Sequence, residues 1–160
     1  MNESPSTDEQ PVDPPPASPR GLVIVAGYGP VGRVVCDMLE NAGFEIHVID
    51  INKRTTEKEH PHKRKFILGD IRDPTVLIKA GIRQATALIL GIPDEDQAVV
   101  ACRVARELSP DIYIAARTNF VSKGLLATQA GADHVVIEEV VTAQAMKEAI
   151  MHLVEEKQAE

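Results

Sequence analysis

The chain has 160 residues, 44% of them hydrophobic and 26% charged, which suffices for one self-supporting core plus tails. A formal net charge of −7 at pH 7 argues against nucleic acid as a partner, because neutralising a phosphate backbone needs a basic face. Cys36 and Cys102 lie far apart in helical patterns, so a disulfide framework is not expected, and no apolar run reaches the roughly 18 residues of a membrane span. A soluble protein of a reducing cytoplasm is the simplest reading.

Residues 1–20 begin Met1-Asn2-Glu3-Ser4-Pro5 and run through Pro14-Pro15-Pro16 to Pro19. They lack the basic start and apolar middle of a signal peptide. So acidic and proline-rich a stretch cannot bury enough surface to offset its ordering entropy, and it reads as a disordered leader. Order is expected from Gly21. Leu22-Val23-Ile24-Val25-Ala26 is the continuous apolar run of a strand buried on both faces of a parallel sheet. After Gly27-Tyr28-Gly29-Pro30-Val31-Gly32, the residues Val31, Val34, Val35, Met38 and Leu39 recur at helical spacing, and Gly43 closes the helix. Glu45-Ile46-His47-Val48-Ile49-Asp50 predicts the second strand and completes a βαβ unit.

The alternation continues. Strands are predicted at residues 65–68, 86–91, 111–116 and 133–137, with helices at 74–80, 94–108 and 119–130. This pattern implies an α/β Rossmann fold: a doubly wound, six-stranded parallel sheet in the order 3-2-1-4-5-6, with helices on both faces. The domain is expected to span residues 21–138. A last helix at about 139–156, within a C-terminal segment 139–160, follows the final strand. Val141, Ala145, Met146, Ala149, Ile150, Leu153 and Val154 give it an apolar stripe, with Lys147, Glu148, Glu155 and Glu156 mostly opposite. It either packs on its own sheet or buries the stripe against a second subunit. A homodimer is favoured, because a six-stranded fold is complete before this helix begins.

The glycine turn has the context that gives G-x-G-x-x-G its meaning: a buried strand before it, an amphipathic helix after it and an acid at the end of the next strand. Gly27 permits the tight turn, Gly29 lets phosphates approach the backbone, and Gly32 lets the helix pack against the strand. Phosphates there would meet unpaired N–H groups and the positive end of the helix dipole. Asp50, eighteen residues beyond Gly32, can accept ribose hydroxyls and disfavours a 2′-phosphate. NAD(H) or an adenine nucleotide (AMP, ADP or ATP) is the expected ligand. Lys53 and Arg54 follow closely enough to moderate this preference.

Other candidates carry less. His60-Pro61-His62 lies in a charged stretch with no cysteine nearby and reads as a solvated loop rather than a metal site. His134 and the two cysteines read as structural residues, and Asp94, Glu95 and Asp96 as acids capping a helix. No Tyr-x-x-x-Lys pair or His/Asp dyad is present, and the length is spent on the nucleotide fold. The expectation is therefore a protein that is not an enzyme.

Several segments together go beyond a generic nucleotide fold. They are Val25-Ala26-Gly27-Tyr28-Gly29-Pro30-Val31-Gly32-Arg33, Val48-Ile49-Asp50, Gly69-Asp70, Ala80-Gly81-Ile82, Ala115-Ala116-Arg117 and Gly131-Ala132-Asp133-His134-Val135-Val136. In this order the chain resembles the RCK N-terminal, or TrkA-N, family over nearly all of residues 21–145. It is most similar to the cytoplasmic domains fused to cation/proton antiporters. The resemblance implies that Gly27, Tyr28, Gly29, Pro30, Val31 and Gly32 hold phosphates and that Asp50 with Ile51 meets the ribose. It also implies that Asp70 and Ile71 flank the adenine and that Arg117 reaches towards phosphate. Glu139 matches a position that in some members helps bind a metal cation between subunits. Pro30 stands where many members carry an arginine, which counts against tight triphosphate binding.

The resemblance further implies a regulatory module. Its partner would be a membrane cation transporter, a potassium channel subunit or a cation/proton antiporter, and its place the cytoplasm or the inner face of the plasma membrane. No direct membrane insertion is expected. The alternatives are a small NAD-dependent oxidoreductase and a freestanding nucleotide-binding protein.

Overall fold

In the computed structural model, residues 18–58 and 63–158 are described. The leader expected at 1–20 thus falls almost wholly outside them, as do His60, Pro61 and His62. β1 (Leu22–Ala26) leads through the glycine turn into α1 (Pro30–Asn41), and β2 (Glu45–Asp50) follows. α2 (Lys53–Glu57), β3 (Lys65–Leu68), α3 (Pro74–Lys79) and β4 (Ala87–Leu90) come next. The chain continues with α4 (Glu95–Leu108), β5 (Tyr113–Thr118), α5 (Val121–Gln129), β6 (His134–Ile137) and α6 (Glu138–Gln158). The sheet has six strands, all parallel, in the order β3-β2-β1-β4-β5-β6. Chain order reverses between β1 and β4, which leaves a crevice at the carboxyl ends of those strands.

Three local differences from the expected elements have physical causes. The short helix α2 arises in a charged stretch without apolar periodicity, and the Asn52 side chain starts it by accepting from Arg54 N at 3.0 Å. β5 begins later than expected, because Pro110 and Ile112 give their carbonyls to Arg106 at 2.7 and 2.8 Å instead of to a strand ladder. α5 likewise starts at Val121, since the Glu95 carboxylate takes the N–H groups of Asn119 and Phe120. The three acids open α4 as expected: Asp94 is its N-cap, accepting from Asp96 N and Gln97 N at 3.0 Å, and Glu95 and Asp96 lie in its first turn. Glu95 reaches across to the β5–α5 loop, and Asp96 pairs with Lys123.

Side chains alternate across the sheet. On one face Ile24, Ile49, Ile67, Leu88, Leu90 and Ile114 are buried together with Leu77 of α3, Ala101, Cys102 and Ala105 of α4 and Ala127 of α5. The small residues of α4 let its backbone approach the strands. On the other face Val23, Val25, Ile46 and Val48 pack with Cys36 of α1. That cover stops near β4: Tyr113 and Val136 are 48% and 43% exposed.

α6 follows β6 with no intervening residue. At 21 residues it is about 30 Å long. Val141, Met146, Ile150, Leu153 and Val154 along it are all exposed. Packing on its own sheet, one of the two readings of this stripe, is not what the structure shows. No helix among the described residues is long and apolar enough to cross a membrane.

Candidate nucleotide-binding cleft

The turn between β1 and α1 is shaped by three glycines with three separate reasons. Gly27 has φ +89°, a conformation that favours glycine. A Cβ at Gly32 would lie 1.9 Å from the Gly27 carbonyl oxygen, so α1 could not sit so close to the turn with any other residue. Gly29 differs: its φ is −80°, and a Cβ built there meets no atom within 4 Å. Nothing in the protein demands glycine at this position, and its bare backbone faces the cleft. Pro30 occupies the first turn of α1, where its ring suits the helix but leaves one N–H fewer for an anion.

Asp50, at the carboxyl end of β2, braces this turn. Its Oδ2 accepts from Tyr28 N at 2.9 Å and its Oδ1 from Asn52 N at 2.7 Å. The Tyr28 hydroxyl in turn accepts from Arg64 Nη1 at 2.7 Å, and its ring meets Phe66 edge-on at 5.0 Å. Arg64 also donates to Asp37 at 2.5 Å and to Glu40 at 2.8 and 2.5 Å. Burial disfavours its charge, but the two carboxylates more than offset that and raise its pKa. Arg64 is thus a structural cation under the turn. In the sequence it is hidden in Lys63-Arg64-Lys65, which reads as a solvated charge run, and no local pattern separates it from its neighbours.

A cavity of about 280 Å³ opens at the strand ends. Gly27, Tyr28, Gly29, Pro30, Val31, Asp50, Ile51, Asp70, Ile71 and Arg117 all line it. Residues from the expected site on four strands are therefore brought together. Gly32 is not in the lining; it serves behind the turn. Gly91, Ile92 and Pro93 of the β4–α4 loop and Gln97 in the first turn of α4 complete the wall. They follow the fourth strand at the switch point, a position that could have marked them in advance. Arg72 donates to Asp70 from side chain and backbone and holds its carboxyl below the usual carboxylate range.

Arg117 lies between two cavities. Its Nε donates to Glu138 Oε1 at 2.6 Å and its Nη1 lies 3.3 Å from the Gly91 carbonyl oxygen. The second cavity, about 490 Å³, is largely apolar and includes Val35, Ile89, Ala115, Val136 and Val141. Glu139 stands apart from the cleft lining and accepts from Val121 N at 2.8 Å, capping α5 from outside that helix. Among the described residues of one copy, no three His, Cys, Asp or Glu side chains gather as a metal-binding group. Burial pushes both the Cys36 and Cys102 thiols up to about 11, which leaves them protonated at neutral pH.

The TrkA-N domain family matches residues 23–138. A probable potassium channel protein 2 of Methanocaldococcus jannaschii is 34% identical over 116 residues, which cover 71% of this chain and 34% of that protein. The putative cation/proton antiporter YbaL of Escherichia coli is 28% identical over 127 residues, 79% of this chain and 23% of YbaL. The chain thus spans about a third or less of the length of these relatives. The crystal structure of the TrkA-N domain of E. coli YbaL superposes with a TM-score of 0.77 at 27% identity, covering 81% of this chain and 96% of that one. A Shewanella denitrificans Kef C-terminal domain, solved in an AMP-bound form, shares the fold with a TM-score of 0.74 at 24% identity, covering 83% of this chain and 81% of that one. From its glycine turn and strand order to the match over its whole sheet, the chain belongs to the TrkA-N domain family.

Proposed function

We propose that this chain is a regulatory module that binds NAD(H) or an adenine nucleotide at the cleft and controls a potassium channel, a potassium-uptake system or a cation/proton antiporter. The observation that carries the reading is Gly29: a bare backbone position facing the cavity, at the start of α1 and beside Asp50, with no steric need for glycine in the protein itself. Family membership and the channel and antiporter relatives support the transport role. The AMP-bound Kef domain shares the same fold. In this reading the phosphates lie against Gly29, Val31 and the start of α1, the ribose against Asp50 and Ile51, and the adenine near Asp70 and Ile71. Residues 21–138 form the nucleotide module, residues 139–160 the dimerisation segment and residues 1–20 a leader. The module acts on the cytoplasmic side of the membrane and performs no chemistry on its ligand.

A homodimer completes the assembly. Tyr113 and Val136 on the open strip and the stripe on α6 are exposed apolar surface within one copy. A second copy provides each with its complement. A nucleotide then regulates the transporter by binding two dimer geometries unequally.

Isothermal calorimetry with NAD, NADH and AMP tests the ligand. Asp50→Ala and Gly29→Val are each expected to weaken binding by about ten-fold or more, with Gly29→Val leaving thermal unfolding unchanged. Unaltered affinity in both variants overturns the site. Turnover of NADH with added acceptors would favour the oxidoreductase reading instead.

A further inference from the structure

The charged groups in the cleft wall are few. Among the described residues lining it they are Asp50, Asp70 and Arg117. Asp70 is engaged by Arg72, and Arg117 by Glu138. The lining therefore offers a polyphosphate no uncommitted cation, and Pro30 takes one N–H from the start of α1. Glu138 itself does not line the cleft. It lines the second cavity and is the first residue of α6. Arg117, Val31 and Gly91 line both cavities, so the guanidinium is the charged group through which they adjoin.

We propose that Glu138 is a positioning residue that sets the charge selectivity of the cleft by holding Arg117, and that a polyphosphate which captures Arg117 frees the root of α6. The inference rests on the nucleotide reading of the cleft. Its physical basis is competition for one guanidinium between a carboxylate at 2.6 Å and the terminal phosphates of a ligand. A monophosphate or an NAD pyrophosphate seated on the glycine turn has its charge met by the helix end and leaves the pair intact. ADP and ATP carry further charge, for which Arg117 is the nearest cationic partner in the lining. They bind only by breaking the pair. Linkage then requires that whatever favours the Arg117–Glu138 pair disfavours ADP and ATP by the same factor. Since Glu138 opens α6 directly after β6, the pair ties ligand charge to the helix proposed to meet the second copy.

The test is a set of dissociation constants for AMP, NAD, ADP and ATP, measured by calorimetry on the full chain and on E138Q, R117Q and the double variant. Glu138→Gln is expected to tighten ADP and ATP by about five-fold or more while AMP and NAD stay within about two-fold. In the R117Q background the same change should have no effect on any of the four. A uniform shift across all four ligands overturns the proposal, as does a shift that persists without Arg117. Amide exchange at residues 138–142 gives a second readout: ATP should speed it in the parent chain and AMP should not. Equal exchange with both ligands overturns the coupling to α6. If the parent chain binds none of the four nucleotides, the reading of the cleft fails, an outcome distinct from flat selectivity in a chain that binds.

Discussion

On one face of the sheet Ile24, Leu88 and Ile114 are fully buried beneath α3, α4 and α5, whereas on the other face cover ends near β4 and leaves Tyr113 and Val136 about half exposed. On β5 and β6 the covered face carries Ile114, Ala116 and Val135, and the other face Tyr113, Ala115, Arg117, His134 and Val136. The difference comes from connectivity. α4 and α5 cover the first face over the later strands, while the apolar stripe of α6 stays exposed. Parallel sheets have both faces covered, so the open strip and the exposed stripe of α6 are the surfaces assigned above to the proposed second copy.

The largest effect that can break this contrast is a cavity. Ile114→Ala is expected to cost about 2–5 kcal/mol in denaturant unfolding, as large-to-small changes in a close-packed core do. Val136→Ala, on the open strip, should cost less than about 0.5 kcal/mol in dilute, monomeric chain. Similar costs for the two would show that the open face is covered within one copy. Next in size is the apolar helix. Ile150→Asp should weaken self-association by about ten-fold or more in analytical ultracentrifugation, with no loss of monomer stability; an unchanged dimer would place the interface elsewhere.

A smaller effect concerns how β6 is held at the edge. Asp133 accepts from Ile114 N at 2.8 Å and from Arg106 at 2.9 Å, and the two hold its carboxyl below the usual range. A depressed carboxylate pKa gives stability that is present above the unfolded value of about 4 and lost as pH falls through the folded one. Asp133→Asn should therefore cost about 1 kcal/mol at pH 7, and the two unfolding curves should converge below the carboxylate range. The smallest expected effect is none at all. Cys36 is on the buried side of α1 on one face and Cys102 on the buried side of α4 on the other. Both thiols, raised by burial, should resist disulfide reagents until global unfolding; faster reaction of Cys36 alone would show that the α1 face opens locally.

Much of this molecule is legible in its residue pattern. The apolar runs at Leu22–Ala26 and Glu45–Asp50, the helical spacing after Gly32 and the repeated Gly at helix ends specify the sheet and its order, because a parallel crossover has one favoured hand. Gly27, Asp50, Asp70 and Arg117 are equally readable, since each stands at or close to a strand end that the topology turns towards one crevice. Helix α2 is not, for a single Asn52 cap carries it and there is no apolar face to announce it.

The primary structure by itself thus determines the Rossmann topology, the glycine turn and the family, all of which follow from local periodicity and from glycine's lack of a side chain. Only the tertiary structure decides which charges are spoken for. Arg64 becomes a buried brace beneath Tyr28 and Arg117 a partner of Glu138 because residues 21 to 36 positions apart meet in space. It also decides that the apolar stripe of α6 is left exposed. Electrostatic pairing and cover depend on distances through space, and those are fixed only when the strands have assembled.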